Sequence, residues 1–188
     1  MGESLSKIRR HDREITDKNW IIALLNRAGY GVLATCKDGQ PFTVARNFAY
    51  DPEKHVIYFH GARKGRTFEN IGEGTLANLN VSEMGELMVA ERAMNFGVMY
   101  KGVVVFGRLS IVEDNAEAKH GLQLLMDKHF PELRPDVDYE ATTDTDLKIT
   151  GVLRLDIDSW SGKEKKRKKT ISFHIGGARP CDEGVSIR

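Results

Sequence analysis

The sequence predicts a mainly β domain, a six-stranded antiparallel barrel with flanking helices. Three observations carry that expectation. Residues 30–60 hold three strand-like runs, YGVLATC, PFTVARNFAY and HVIYFH, separated by the turn chemistry of KDGQ and DPEK. Three more runs follow at 76–82, 101–113 and 147–158. Helical patterns are few and do not alternate with the strands, which argues against a parallel βαβ sheet. A chain of 188 residues, 40% hydrophobic and 29% charged, can bury one core without disulfides and is unlike a disordered polymer.

Residues 1–15 read as a leader arm, 16–160 as the barrel domain and 161–188 as a basic C-terminal extension. A helix is expected over 16–29, with Thr16 or Asp17 as its cap, Trp20, Ile21, Leu24, Leu25 and Ala28 on one face, and Gly29 as its stop. Asp38-Gly39 tolerates positive φ, so the first two strands should form a hairpin. A short helical segment is expected around Thr67–Ile71, then a fourth strand at 76–82. Residues 83–100 hold Met84, Met88, Met94 and Met99 without a clean period, which suits either a pliable partner-facing surface or core filler. The fifth strand (101–113) leads to a helix from about Asp114 to His129, capped by Asp114 and Glu117. Its expected buried face is Leu122, Leu125, Met126 and Phe130. A Pro- and Asp-rich loop precedes the sixth strand, and Ile171, Phe173 and Ile175 alternate as in a short added strand.

Several function classes are argued against. The net charge is +1, so the chain is not a generally basic nucleic-acid binder. That value averages two regions: residues 163–188 carry 8 basic and 3 acidic side chains, and residues 1–162 are net −4. No apolar run approaches the ~18–20 residues of a membrane span. The start, MGESLSKIRRHDRE, has no apolar h-region, and its Gly2/Ser6 match to a myristoylation pattern is too short to carry weight. Cys36 and Cys181 fit a reducing cytoplasm, with Cys36 expected as a small buried hydrophobe. The six histidines and two cysteines lack zinc-ligand spacing, and no GxSxG elbow is present.

One segment points to chemistry. His60-Gly61-Ala62-Arg63-Lys64-Gly65-Arg66-Thr67 follows a strand and precedes a helical turn. Its glycines allow close backbone approach to an anion, and Arg63, Lys64 and Arg66 can supply charge-assisted hydrogen bonds to phosphate oxygens. It is neither a P-loop nor a GxGxxG fingerprint.

Tyr30-Gly31-Val32-Leu33-Ala34-Thr35, Asp38-Gly39-Gln40-Pro41-Phe42 and Ile57-Tyr58-Phe59-His60-Gly61-Ala62, continuing to Lys64-Gly65-Arg66, resemble the FMN-binding split barrels. These are the pyridoxamine 5′-phosphate oxidase-like proteins, and the similarity is greatest to the nitroimidazole-resistance (Nim-type) branch. Tyr100–Arg108 and the leader Arg9–Ile15 are similar to that branch too, so the resemblance spans roughly residues 8–160.

The resemblance implies a Greek-key split barrel and a cytoplasmic homodimer with FMN in clefts between the subunits. It places Val44, Ala45, Arg46 and Asn47 along the isoalloxazine ring, Tyr58, Phe59 and His60 on the adjacent strand, and Lys64, Gly65, Arg66 and Thr67 at the phosphate. The partner subunit would close the cleft from Asn95–Lys101, with Asn95, Tyr100 and Lys101 as contacts. His60 is the candidate catalytic residue, as a proton donor or substrate-orienting group. The implied activity is reduction of a small organic acceptor, nitro compounds included, with electrons from a reduced nicotinamide. Without a Rossmann motif, the nicotinamide would dock directly on the flavin. Trp160 is followed by Ser161-Gly162-Lys163 and the oxidase C-terminal signature is missing, which argues against pyridoxamine phosphate as substrate. The alternatives are a haem- or deazaflavin-using relative on the same barrel, or a flavin-binding or regulatory module without turnover. In the last case the basic run Lys163–Lys169 would meet an acidic partner.

Overall fold

A computed structural model describes residues 6–72 and 74–167. A 3-10 turn, His11–Arg13, leads into β1 (Glu14–Ile15) and α1 (Lys18–Arg27). The strands β2 (Gly31–Lys37), β3 (Gln40–Arg46), β4 (Ala49–Asp51) and β5 (Val56–Ala62) follow, then the single-turn α2 (Arg66–Glu69). Next come β6 (Thr75–Met88), β7 (Gly97–Ile111), α3 (Asn115–His129) and β8 (Thr150–Lys165). The strands form one antiparallel sheet in the order β3-β2-β6-β7-β8-β5-β4, with β1 on β8. β5 and β6 are consecutive in sequence but lie on opposite sides of the β7–β8 pair, so the chain crosses the barrel end through α2. That crossing gives the Greek-key split barrel expected above, with eight strands rather than six because the short β1 and β4 join the six long ones.

Local chemistry explains the elements. Asp38 (φ 52°) and Gly39 (φ 76°) make the tight turn between β2 and β3. The Asp17 carboxylate accepts from Asn19 N and caps α1, and Asp114 accepts from Glu117 N and caps α3. Alternate residues of the long strands, such as Leu33, Phe59, Leu79, Val103, Val105, Leu153 and Leu155, point into the barrel. There they meet Ile21, Leu24 and Leu25 of α1. Each such side chain contributes roughly 1.5–3 kcal/mol by leaving water. A smaller core lies under α3, where Val56, Tyr58 and Val152 meet Ala118 and Leu147.

Several expectations need correction. The second strand breaks at Asn47-Phe48 because Asn47 Nδ2 donates to the Gly29 carbonyl while Phe48 turns fully inward. α3 buries Leu125 of the expected stripe together with Ala118 and Gly121; Leu122 and Met126 are half-buried, and Phe130 is 47% exposed. Gly121 explains the rotation: a Cβ there would lie 2.8 Å from the Tyr58 ring, so the helix seats its bare face on the sheet. Strand structure continues through 83–88 and resumes at 97, forming a two-stranded arm with a register shift between Met84 and Leu87. The arm leaves Met84, Leu87, Val89, Met94 and Phe96 exposed, and with no buried face it shows no period of two. β8 continues to Lys165, paired with both β7 and β1. Cys36 is exposed near the hairpin turn. The alternating Ile171–Ile175 lies outside the described residues. Among those described, no helix is long and apolar enough to cross a membrane.

Candidate cofactor site at the split between β3 and β5

β3 is an edge strand, and β5 runs on past its last pairing with β4, at Tyr58, to Ala62. Arg46 joins these two edges. Its side chain follows Phe42 and Val44 on the inward-tending face of β3, where Thr43 and Ala45 are exposed. Its Nη1 donates to the His60 carbonyl at 2.8 Å and its Nη2 to Thr67 Oγ1 at 2.9 Å. Gly61 gives the guanidinium room, since a Cβ there would lie 2.7 Å from Nη1. The Arg46 Nε is buried without a hydrogen-bond partner. Burial lowers the Arg46 pKa, and no carboxylate opposes that shift.

The following loop carries further cations. Gly65 has φ 101° with open space where a Cβ would stand, a conformation that favours glycine. The Arg66 guanidinium lies 5.7 Å over the Phe42 ring, and Lys64 is exposed. Lys37 Nζ donates to the Glu69 carbonyl at 2.7 Å and fixes the far end of α2. Arg63 points elsewhere: it donates to the Leu147 carbonyl at 3.0 Å and pairs with Glu113 at 3.6 Å. The expected trio of phosphate ligands is therefore reduced to Lys64 and Arg66. His60 stands exposed at the rim, and partial burial of its ring and then the Arg46 charge push its pKa below the ordinary value.

The structure thus brings Arg46, His60, Gly65, Arg66 and Thr67 together, with Thr67 buried as the acceptor that orients Arg46. Val44 packs against the core, Ala45 faces outward, and Asn47 is tied to Gly29. The Tyr58 and Phe59 side chains are fully buried, Tyr58 under α3 with its hydroxyl on Glu117 and Phe59 in the barrel, leaving only their backbone for a ligand. Asn95, Tyr100 and Lys101 belong to the arm and its base. Tyr100 pairs with Lys165 and His60 with Val152, so thirteen positions of β8 separate them within one chain. Lys128 is a supporting residue that sequence reading missed. Its Nζ donates to the Leu25 and Phe48 carbonyls at 2.9 and 2.8 Å and sits 3.6 Å from the Phe48 ring centroid, bracing the chain next to Asn47. The signal was its place three residues after Leu125 on the buried stripe.

A half-buried cation with a partnerless Nε–H, two further basic side chains and, among the described residues, no carboxylate paired with any of them suit an anionic ligand that also offers a hydrogen-bond acceptor. Among solved structures, the fold is similar to the flavocytochrome Anf3 of Azotobacter vinelandii, at 23% identity and TM-score 0.72 over 86% of this chain and 74% of that one. It is similar to the FAD and heme binding protein of Mycobacterium smegmatis, at 24% identity and TM-score 0.71 over 82% and 74%. A candidate 5-nitroimidazole antibiotic resistance protein of Bacteroides thetaiotaomicron matches at 20% identity and TM-score 0.66 over 80% and 86%. At these identities the fold is what is shared. No curated protein matches the sequence. The model of the pyridoxamine 5′-phosphate oxidase family matches residues 17–164. That match runs from the cap of α1 almost to the end of β8, through every long strand that frames Arg46, and the chain belongs to the pyridoxamine 5′-phosphate oxidase family.

Proposed function

We propose that this chain is a flavin-dependent oxidoreductase that holds FMN at the Arg46 cleft and works as a homodimer. The observation that carries the reading is the buried Arg46 Nε–H, which has no acceptor among the described residues. A flavin edge offers ring-nitrogen and carbonyl acceptors there, and a 5′-phosphate suits Lys64, Arg66 and the open backbone at Gly65. The flavin, when bound, supplies the redox chemistry between a reduced nicotinamide and a small organic acceptor, nitro compounds included. The chain binds, orients and tunes. Arg46, already held by the His60 carbonyl and Thr67, favours negative charge at the ring edge without reorganising. The exposed His60 imidazole can hold or pass a proton at the rim.

A second copy would exclude water, and the outer sheet face supports this. Ala45, Val32, Asn80, Val104 and Ser161 form one cross-strand row over five strands, and Thr43, Ala34, Asn78, Phe106 and Ser159 form the next. Neither row carries a charge, which suits a partner-covered face better than a solvated one. In such a dimer the partner's arm would bring the second set of candidate contacts, Asn95, Tyr100 and Lys101, to the cleft.

The second reading is haem in place of flavin, favoured by the exposed His60 imidazole at the rim, whose ring nitrogen could hold the iron. It is in keeping with relatives described as a flavocytochrome and as an FAD and heme binding protein. A visible spectrum of the purified protein, followed by titration with FMN, FAD and haem and by anaerobic reduction with NADH or NADPH, tests both. Saturable FMN binding with one flavin per chain is expected. Failure to bind any flavin would overturn the first reading, and a bound flavin that neither nicotinamide reduces would overturn the reductase assignment.

A further inference from the structure

A cavity of about 830 Å³ lies between the leader, the arm and the end of β8, away from the Arg46 cleft. Its size suits a small organic ligand. Ile15 with Leu87, Met88 and Val89 gives it an apolar side, and Arg10, Arg13 and Lys165–Arg167 line the other, interleaved with Asp12, Glu14, Glu164 and Asn95.

The charges there are unequally satisfied. Arg10 is held by Asp12 through hydrogen bonds of 2.7 and 2.6 Å, and Glu14 pairs with His11 at 3.1 Å. Lys166 pairs with Glu164 at 3.2 Å, and Arg167 with Glu86 at 3.0 Å. Glu164 also has Lys101 at 4.0 Å. Arg13 reaches Asp12 only at 3.9 Å and donates to the Tyr100 hydroxyl at 3.1 Å. Among the described residues Lys165 has no ion pair; its ammonium lies against Gly97, where a Cβ would collide with it.

Tyr100 relates the two under-used cations. It lies directly opposite Lys165 in the β7–β8 register, so their side chains share a face, and its hydroxyl takes the Arg13 hydrogen bond. Lys163, two residues back along that face, also acts on the phenol. Burial raises the Tyr100 pKa, but the Arg13 hydrogen bond and the Lys163 charge outweigh it and leave the pKa below the ordinary value.

We propose that this cavity binds a small organic anion with an apolar body, its charged end between Arg13 and Lys165 and its body against Ile15, Leu87 and Met88. Size, amphipathic walls and the unpaired Lys165 coincide here, and the cavity shares only Asn95 with the contacts proposed to reach the partner's Arg46 cleft.

The test uses the full chain and two fluorescent probes of similar shape, 1-anilinonaphthalene-8-sulfonate and the uncharged N-phenyl-1-naphthylamine. The sulfonate should bind one site per chain, more weakly as salt rises. Lys165→Met should weaken it about tenfold, a loss of about 1.4 kcal/mol, while leaving the uncharged probe unchanged. Arg13→Gln should act in the same direction, so the result does not hang on one variant. Equal sulfonate affinity in wild type and both variants would overturn the proposal. So would loss of binding in Lys64→Ala/Arg66→Ala, which would assign the probe to the other cleft. Binding that vanishes as protein concentration rises would show a second copy filling the cavity and would overturn it as well. FMN retention, measured in the same samples, reports separately on the Arg46 reading.

Discussion

The Arg46 guanidinium donates to the His60 carbonyl at 2.8 Å, although β3 and β5 share no ladder. A side chain spans the gap that backbone pairing leaves open. The bridge uses both terminal nitrogens inside the protein and leaves Nε without an acceptor among the described residues. Replacing Arg46 by Met should therefore separate binding from folding. The apo protein loses two hydrogen bonds but also a buried, unpaired charge, so its stability should change by no more than about 1 kcal/mol. FMN affinity should fall at least tenfold, because a ligand acceptor loses a buried charged donor. Urea unfolding with and without FMN measures both quantities. A large apo destabilisation with unchanged FMN affinity would make Arg46 a structural clamp only.

Gly61 should be coupled to Arg46. A methyl at Gly61 would sit 2.7 Å from Nη1 with nowhere to go unless the guanidinium moves. Gly61→Ala should weaken FMN binding several-fold in the wild-type background and have almost no further effect on top of Arg46→Ala. The double-mutant cycle reads that difference directly, and additive effects would mean that the two residues act separately.

These relationships show what was legible in the sequence. The Asp38-Gly39 turn, the Asp17 and Asp114 caps and the six long strands could be read because each depends on residues near one another in the chain. Arg46 was marked as a site residue only by resemblance. Its chemistry depends on His60 and Thr67, 14 and 21 residues away, and no local pattern encodes that meeting. Tyr58 read as a strand-end aromatic beside the ligand, yet its hydroxyl is claimed by Glu117, 59 residues on. The arm was illegible for a different reason. Its side chains lack a buried face within one chain, so the alternation that reveals a strand is absent.

Lys128 makes a pH-dependent prediction. Burial pushes its pKa down to about 8 from an ordinary 10.5. Below about pH 8 both folded and unfolded chains carry this proton, and the full cost of burying the charge is present. Between about 8 and 10.5 the unfolded chain binds more protons than the folded one, so this residue's contribution to stability rises with pH. Lys128→Met should remove that rise while leaving stability at pH 7 within about 1 kcal/mol, because lost hydrogen bonds and relieved desolvation oppose each other. Denaturant midpoints from pH 7 to 10.5 provide the comparison, and parallel curves for the two proteins would contradict it.

The loop after β5 makes the sharpest test of the cofactor assignment, because adjacent cations there have different jobs. Arg63 is occupied by the Leu147 carbonyl and Glu113, on the side of the loop facing the segment before β8. Its replacement by Ala should cost some stability, about 1 kcal/mol or less for a half-exposed ion pair and one hydrogen bond, and should leave FMN retention intact. Among the described residues Lys64 and Arg66 have no such carbonyl or carboxylate contact, and Arg66 is stacked over Phe42. Removing both should release FMN during gel filtration without lowering the apo melting temperature. Riboflavin, which keeps the ring but lacks the phosphate, should bind wild type and the Lys64→Ala/Arg66→Ala protein alike. If riboflavin and FMN lose affinity equally in the double variant, these cations do not hold a phosphate, and the anion must be sought elsewhere on the chain.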